Sequence, residues 1–268
     1  MPDPYADPDA QAHSAVQAMM IRLEERGRHP AFQRMIQAYS RTLPTDRPLR
    51  LLDLGCGTGV VLRHLATVLH PLSILHGADV SAGLLSEAKR LAPALTVTWD
   101  HLKAGPLPYP DATFDAITMH TLLSHVSDPA QVLREAKRVL KQTGRLIVFD
   151  ADHAGTTYNQ AEYTTTRRID QIIAAAITTQ PDICRQIPRL LKSCGYTLTH
   201  HDSDVISECG KGDYWLSSVR GLARLMPAIG ALSAPETEAW SSYLMRSHEN
   251  GTFFAAGTFY TFYIKPME

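Results

Sequence analysis

The stretch "LLDLGCGTGVVLRHLA", residues 51–66, runs from an apolar segment through three closely spaced glycines into a helically spaced one. Leu51, Leu52 and Leu54 suit a strand buried on both faces of a parallel sheet. Val61, Leu62, Leu65, Ala66 and Leu69 then recur at the spacing of one helix face. Between them, Gly55, Gly57 and Gly59 accept backbone angles that other residues avoid, and they leave the backbone open to a ligand. The reading is a strand, a tight turn and a helix N-terminus shaped for a nucleotide-like molecule.

Outward from this turn the pattern repeats. "SILHGAD" at 73–79 and "LTVTW" at 95–99 read as strands, with "SAGLLSEAKRLA" between them as a helix that begins at an N-cap serine. "FDAITMH" at 114–120 and "GRLIVFD" at 144–150 read as two more strands, flanking a helix that starts after Asp128 and Pro129. This alternation predicts an α/β fold, a doubly wound, mostly parallel sheet of seven strands with helices on both sides. Residues 1–9, rich in Pro and Asp, read as a disordered tail, and 10–43 as an N-terminal helical cap broken near Gly27 and Pro30. The α/β domain is expected over 44–209 with 251–268. Within it, 158–177 and 182–194 read as helices, and "YTLTHHDSDVIS" and "GTFFAAGTFYTFYIKP" as its last strands. Residues 210–250 read as two amphipathic helices split at Pro235, a helical lid inserted before the last strand.

Composition narrows the function classes. The 268 residues are 44% hydrophobic, enough for one substantial core. With Lys+Arg 26 against Asp+Glu 27 and no long basic run, nucleic acid is not the expected partner. No apolar run approaches the ~18 residues of a membrane span, and the N-terminus lacks the order of a secretion signal. Cys56, Cys184, Cys194 and Cys209 show neither metal-knuckle nor disulfide spacing, so the expected compartment is a reducing cytoplasm. Nothing in the sequence sets an oligomeric state.

The turn reads G-x-G-x-G, whereas nicotinamide and flavin enzymes use G-x-G-x-x-G. Asp79 lies 20 residues after Gly59 at the end of the second strand, where a carboxylate can accept from ribose hydroxyls. Together with Asp53, Asp100 and the run "GPLPYPDATFDAI", residues 49–150 resemble the class I S-adenosylmethionine-dependent methyltransferases, in the branch of ubiquinone-type and natural-product enzymes. The resemblance implies S-adenosylmethionine as cofactor. Asp53 and the backbone of Gly55, Cys56, Gly57 and Gly59 would face its amino acid end, and Asp79 its ribose. Asp100 and His101 would lie beside the adenine, with Val80 and Leu102 sandwiching the ring, and His120 and Thr121 would face the cofactor after the fourth strand. Arg26, in "MMIRLEERGRHP", is a candidate fork for the cofactor carboxylate; the alternative is a solvated face paired with Glu24 or Glu25. The family's nucleic-acid amine methylators carry an Asn or Asp-Pro-Pro-aromatic motif where this chain has "MHTL", which tells against nucleobases.

Methyl transfer from a sulfonium needs mainly alignment, so a catalytic side chain is optional. His120 and His153 are the candidate general bases, because both follow strands on the crevice side. His125 reads instead as a residue that fixes its own loop. Asp150 and Asp152 lack a third ligand, and no metal is expected. Tyr214, Trp215, Trp240 and Tyr243 are the candidate pocket residues of the insert, suited to a hydrophobic or aromatic small-molecule methyl acceptor. The same binding motifs would serve a cyclase, an isomerase or a scaffold. A protein or RNA methyltransferase, needing an open groove, fits the insert less well.

Overall fold

The computed structural model describes residues 3–103 and 105–267. Five parallel strands, β1 (Arg50–Leu54), β2 (Ile74–Asp79), β3 (Val97–His101), β4 (Phe114–His120) and β5 (Leu140–Ala151), form its centre. A two-residue strand β6 (Thr157–Tyr158) and a long antiparallel pair, β7 (Tyr196–Gly210) and β8 (Phe253–Pro266), complete the sheet. The order is β3-β2-β1-β4-β5-β8-β6, with β7 also paired to β8. The expected seven strands are present, and β6 makes an eighth.

The apolar strands are buried on both faces, as the continuous Leu run at 51–54 requires. Leu51, Ala116, Ile147 and Phe149 face one layer, and Leu52, Ile117, Leu146 and Val148 face the other. The first layer holds α2 (Pro30–Ser40), α3 (Val60–Val68), α6 (Tyr163–Ile177), α8 (Tyr214–Ala228) and α9 (Ala234–Glu249). The second holds α5 (Pro129–Val139) and α7 (Ile183–Ser193). The remaining helices are α1 (His13–Arg28) and α4 (Ala82–Leu91). Among the described residues no helix is long and apolar enough to cross a membrane.

Several boundaries differ from the sequence reading. The N-terminal helices part at His29, whose ring nitrogen caps α2, and Gly27 lies inside α1. A Cβ on Gly27 would sit 2.5 Å from Val60, so this glycine lets α1 lie directly on the start of α3. Arg63 of α3 adds a two-pronged bond to Glu24 of α1, at 2.8 and 2.7 Å. The insert divides at residues 229–233, and Pro235 occupies the first turn of α9 behind a Ser233–Glu236 capping box. Residues 3–9 are not a free tail. Asp3 and Pro8 are buried, and Pro8–Ala10 forms a 3₁₀ turn. The acidic residues that suggested solvation instead accept bonds from distant donors, Asp3 from His125 and Asp9 from the start of α4. Residues 1 and 2 of the expected tail lie outside the described residues.

The glycine turn has packing reasons of its own. Gly55, Gly57 and Gly59 all have positive φ, at 75°, 50° and 76°. A Cβ on Gly59 would stand 2.7 Å from the Trp99 ring. Gly59→Ala is therefore expected to destabilise the protein by about 1–2 kcal/mol from the left-handed conformation alone, with the Trp99 clash added. A thermal melt that leaves the midpoint unchanged would contradict this account of the turn.

Candidate active site

The carboxyl ends of β1, β2, β4 and β5 open into one cavity of about 1130 Å³. That exceeds the ~300–1,000 Å³ of a usual small-molecule pocket, so there is room for two ligands. Gly55, Cys56 and Gly57 of the turn, with Asp53, Asp79, Val80, Leu102, His120, Thr121 and His153, line it from the sheet side, while Gly59 packs towards Trp99 outside the lining. Met19, Arg22, Leu23 and Arg26 of α1 cover it, and α8 contributes Tyr214, Trp215 and Leu222.

Asp53 points from β1 into the first layer and is 1% exposed. Its Oδ1 accepts from Thr118 Oγ1 at 2.6 Å, while Oδ2 is buried without a hydrogen-bond partner. Burial, aided by the nearby Asp79 charge and opposed by the Thr118 bond, pushes its carboxyl up to about 7. Across the site, Arg26 donates to Thr121 Oγ1 at 2.9 Å and lies over the Phe32 ring, and it has no carboxylate partner among the described residues. Thr121 holds a positive φ of 53°, rare for a β-branched residue, and this fixes the turn after β4 under Arg26. Asp53, with one carboxyl oxygen unpartnered, and the uncompensated Arg26 guanidinium thus line one cavity, a set that fits an amino acid zwitterion.

Asp79 ends β2 with Oδ2 accepting from Gly57 N at 2.8 Å and Oδ1 from Ser81 N at 2.9 Å. Burial raises its carboxyl despite these bonds. Cys56, also in the turn, is a buried thiol pushed well up by burial and by the Asp79 and Asp53 charges. Val80, 50% exposed, and Leu102 stand in the cavity wall. Asp100 and His101 do not line it. β3 runs two residues beyond the expected end, so both lie within the strand. The Asp100 carboxylate is taken by His76 Nδ1 at 3.1 Å and by the Tyr109 hydroxyl at 2.7 Å, and His101 Nε2 bonds Val80 O.

The imidazoles separate by environment. His120 stacks on Phe149 at 4.3 Å and bonds the Tyr39 hydroxyl through Nδ1; burial, with Arg26 beside it, holds it well below the usual histidine range. His153 is pushed down to about 3 by burial, with His125 and Arg26 adding to the shift. Both are neutral near pH 7. Asp150 accepts from Ser124 N and Ala151 N, and Asp152 pairs with Arg185 at 2.8 Å.

The insert meets the site through one helix. Tyr214 and Trp215 of α8 line the cavity, and Trp240 and Tyr243 of α9 do not. Trp240 is 1% exposed and packs edge-on against Tyr158, on a helix that lies against both α8 and β8. The Glu208 carboxylate caps α8, accepting from the backbone N–H groups of Asp213, Tyr214 and Trp215 at 2.9, 2.7 and 3.1 Å. His125, read from the sequence as a residue that fixes its own loop, also faces the cavity, as do Arg22 and three residues the sequence did not single out, Tyr5, Tyr158 and Asp170. Arg22 stands with Arg26 and Arg28 in a stretch carrying more cations than a surface helix requires, whereas Tyr5 and Asp170 carry no local signal.

A family described as a methyltransferase domain matches residues 52–148. An uncharacterized protein of a Streptomyces fradiae transposon is 31% identical over 214 residues, 78% of this chain and 60% of that protein. A 2-phytyl-1,4-naphtoquinone methyltransferase of Synechococcus elongatus is 39% identical over 128 residues, 46% of this chain and 54% of its own length. The chain thus spans between about half and three-fifths of these two relatives. Among solved structures, a methyltransferase candidate from Bacillus halodurans aligns at a TM-score of 0.62 and 13% identity, covering 87% of this chain and 99% of that one. The 4+2 cyclase SpnF aligns at 0.54 and 22%, covering 90% and 85%. With the glycine turn, the acidic end of β2 and the strand order in agreement, residues 52–148 form a methyltransferase domain of the class I S-adenosylmethionine-dependent type.

Proposed function

We propose that this chain transfers a methyl group from S-adenosylmethionine to a hydrophobic small molecule, at oxygen, nitrogen or carbon. The observation that carries the reading is that Asp53, whose Oδ2 is buried without a partner, and the uncompensated Arg26 line the same cavity. Asp53 would hold the ammonium and Arg26 the carboxylate of the cofactor's amino acid end, with Asp79 on the ribose. The bound cofactor would supply an electrophilic methyl on sulfonium. The protein's part is then to align an acceptor, and well-oriented reactants gain about 7–11 kcal/mol from that alone. His120 and His153, both neutral and desolvated, are suited to lining the reaction centre and poorly suited to taking up a proton.

The acceptor half of the cavity includes Tyr5, Phe32, Tyr158, Tyr214, Trp215 and Phe259. Such walls suit an aromatic ring, and the naphthoquinone relative supports a quinone-like one. Isothermal calorimetry should show S-adenosylhomocysteine binding, with Asp79→Ala weakening it by ~1.5–3 kcal/mol through loss of charge-assisted bonds. Binding of NAD with none of S-adenosylhomocysteine would overturn the reading. Because the fold is shared with a cyclase, transfer is measured separately, with methyl-labelled cofactor and a panel of 1,4-naphthohydroquinones and phenols. Cofactor binding without transfer to any of them would favour cyclase, isomerase or scaffold use.

A further inference from the structure

The N-terminal segment delivers a buried carboxylate to an imidazole of the cavity. Asp3 Oδ1 accepts from Tyr5 N at 2.9 Å. Its Oδ2 accepts from Thr179 N at 3.0 Å, from Thr179 Oγ1 at 3.2 Å and from His125 Nδ1 at 2.7 Å. The Asp3 side chain is 1% exposed and that of His125 15%. His125 closes the 3₁₀ turn Leu123–His125 after β4 and lines the cavity. No group among the described residues bonds its Nε2. With Nδ1–H given to Asp3, the neutral ring carries its lone pair on Nε2. The other groups facing His125 are Tyr5, with ring centroids 5.1 Å apart, His153 at 6.4 Å, and the Asp150 carboxyl at the end of β5.

We infer that His125 is the proton acceptor for methyl transfer and that Asp3 is its positioning carboxylate, an assignment that rests on the methyl-transfer reading. As the bond from the acceptor atom to the methyl carbon forms, the acceptor's proton passes to His125 Nε2. The sulfur–methyl bond breaks with its electron pair left on sulfur, which cancels the sulfonium charge. The positive charge then resides on the imidazolium, next to the Asp3 carboxylate. This is the arrangement in which a carboxylate both selects the tautomer and stabilises the protonated base. The segment that brings Asp3 also closes the site. Pro4, Tyr5, Ala6 and Pro8 line the cavity, and Asp9 accepts from Ser81 Oγ and from Ala82 N at the start of α4.

Nitrogen-15 NMR of the full chain with S-adenosylhomocysteine bound tests the pairing without turnover. At pH 8 His125 should show a protonated Nδ1 and an unprotonated Nε2, and Asp3→Asn should mix the two tautomers. A neutral ring carrying its proton on Nε2 overturns the assignment. With the naphthohydroquinone and phenol probes, His125→Gln should lower kcat about 100-fold or more while S-adenosylhomocysteine affinity stays within about threefold. Asp3→Asn should lower kcat about 10- to 100-fold and displace the acid limb of the kcat/KM profile, a change that a purely structural contact would not produce. A folded His125→Gln variant within about fivefold of the parent overturns the assignment. If the parent protein turns over none of the probes, the methyl-transfer reading fails, and the tautomer measurement alone decides the pairing.

Discussion

Asp53→Asn is expected to weaken S-adenosylhomocysteine binding by ~1.5–3 kcal/mol, because a charge-assisted bond to the ligand ammonium is lost in a buried site. A second signature separates this from general damage. In the free protein the Asp53 carboxyl is held up to about 7 by burial, so at pH 6 it is largely protonated. An ammonium placed against Oδ2 favours the ionised form and drives that proton off. Calorimetry at pH 6 in buffers of different ionisation enthalpy should therefore show close to one proton released per ligand, falling towards none at pH 8.5. Asp53→Asn should abolish the release. Stability carries the same sign. A carboxyl raised from 3.8 binds its proton more tightly when folded, so it costs the ligand-free protein stability as pH rises from about 4 through 7, on the order of a few kcal/mol. Denaturation of Asp53→Asn should show a flatter pH dependence across that window. Unchanged affinity and unchanged proton release would remove Asp53 from the ligand site.

The parts legible in the sequence are those set by local rules. Period-two and continuous apolar runs give the strands, and the Ser81 and Asp128 caps mark helix starts that the structure reproduces. The turn from Gly55 to Gly59 was readable because positive φ is a property of single residues. What escaped the reading depends on partners far along the chain. Asp3 meets a histidine 122 residues away, and a short acidic, proline-rich segment has the same composition whether solvated or buried against such donors. Asp100 lies within β3 and outside the cavity lining, with Oδ2 bonded to His76 and Tyr109, partners 24 and 9 residues away that the strand pattern does not reveal. For the insert, helical periodicity identifies a buried face without saying which neighbour buries it, so Trp215 and Trp240 looked alike in sequence.

Trp240→Ala is expected to cost about 3–5 kcal/mol of stability, the range for emptying a fully buried aromatic site. The cost follows from its position. Trp240 packs edge-on against Tyr158, and its side chain is not part of the cavity lining. Wherever the variant remains folded, S-adenosylhomocysteine affinity should match that of the parent. Trp215 differs because it faces both ways. Its ring meets Tyr158 and Phe259 and the Gly257 backbone, its Nε1 donates to Ile206 O at 2.8 Å, and it forms part of the cavity wall. Truncation there should lower stability and also raise the acceptor KM or change acceptor preference. The phenylalanine variants sharpen the contrast. Trp240 Nε1 is buried without a partner, so Trp240→Phe removes an unpaired donor and loses no bond. Trp215→Phe strands the Ile206 carbonyl and should cost about 1 kcal/mol more than Trp240→Phe. Hydrogen exchange supplies the check on α8. Its first turn is pinned by Glu208, so it should exchange slowly without ligand, and protection gained on binding should appear along the cavity-facing residues from Ser217 to Leu225. If Trp240→Ala altered acceptor preference as strongly as Trp215→Ala, the two helices would move as a unit over the site, and α9 would share in acceptor choice.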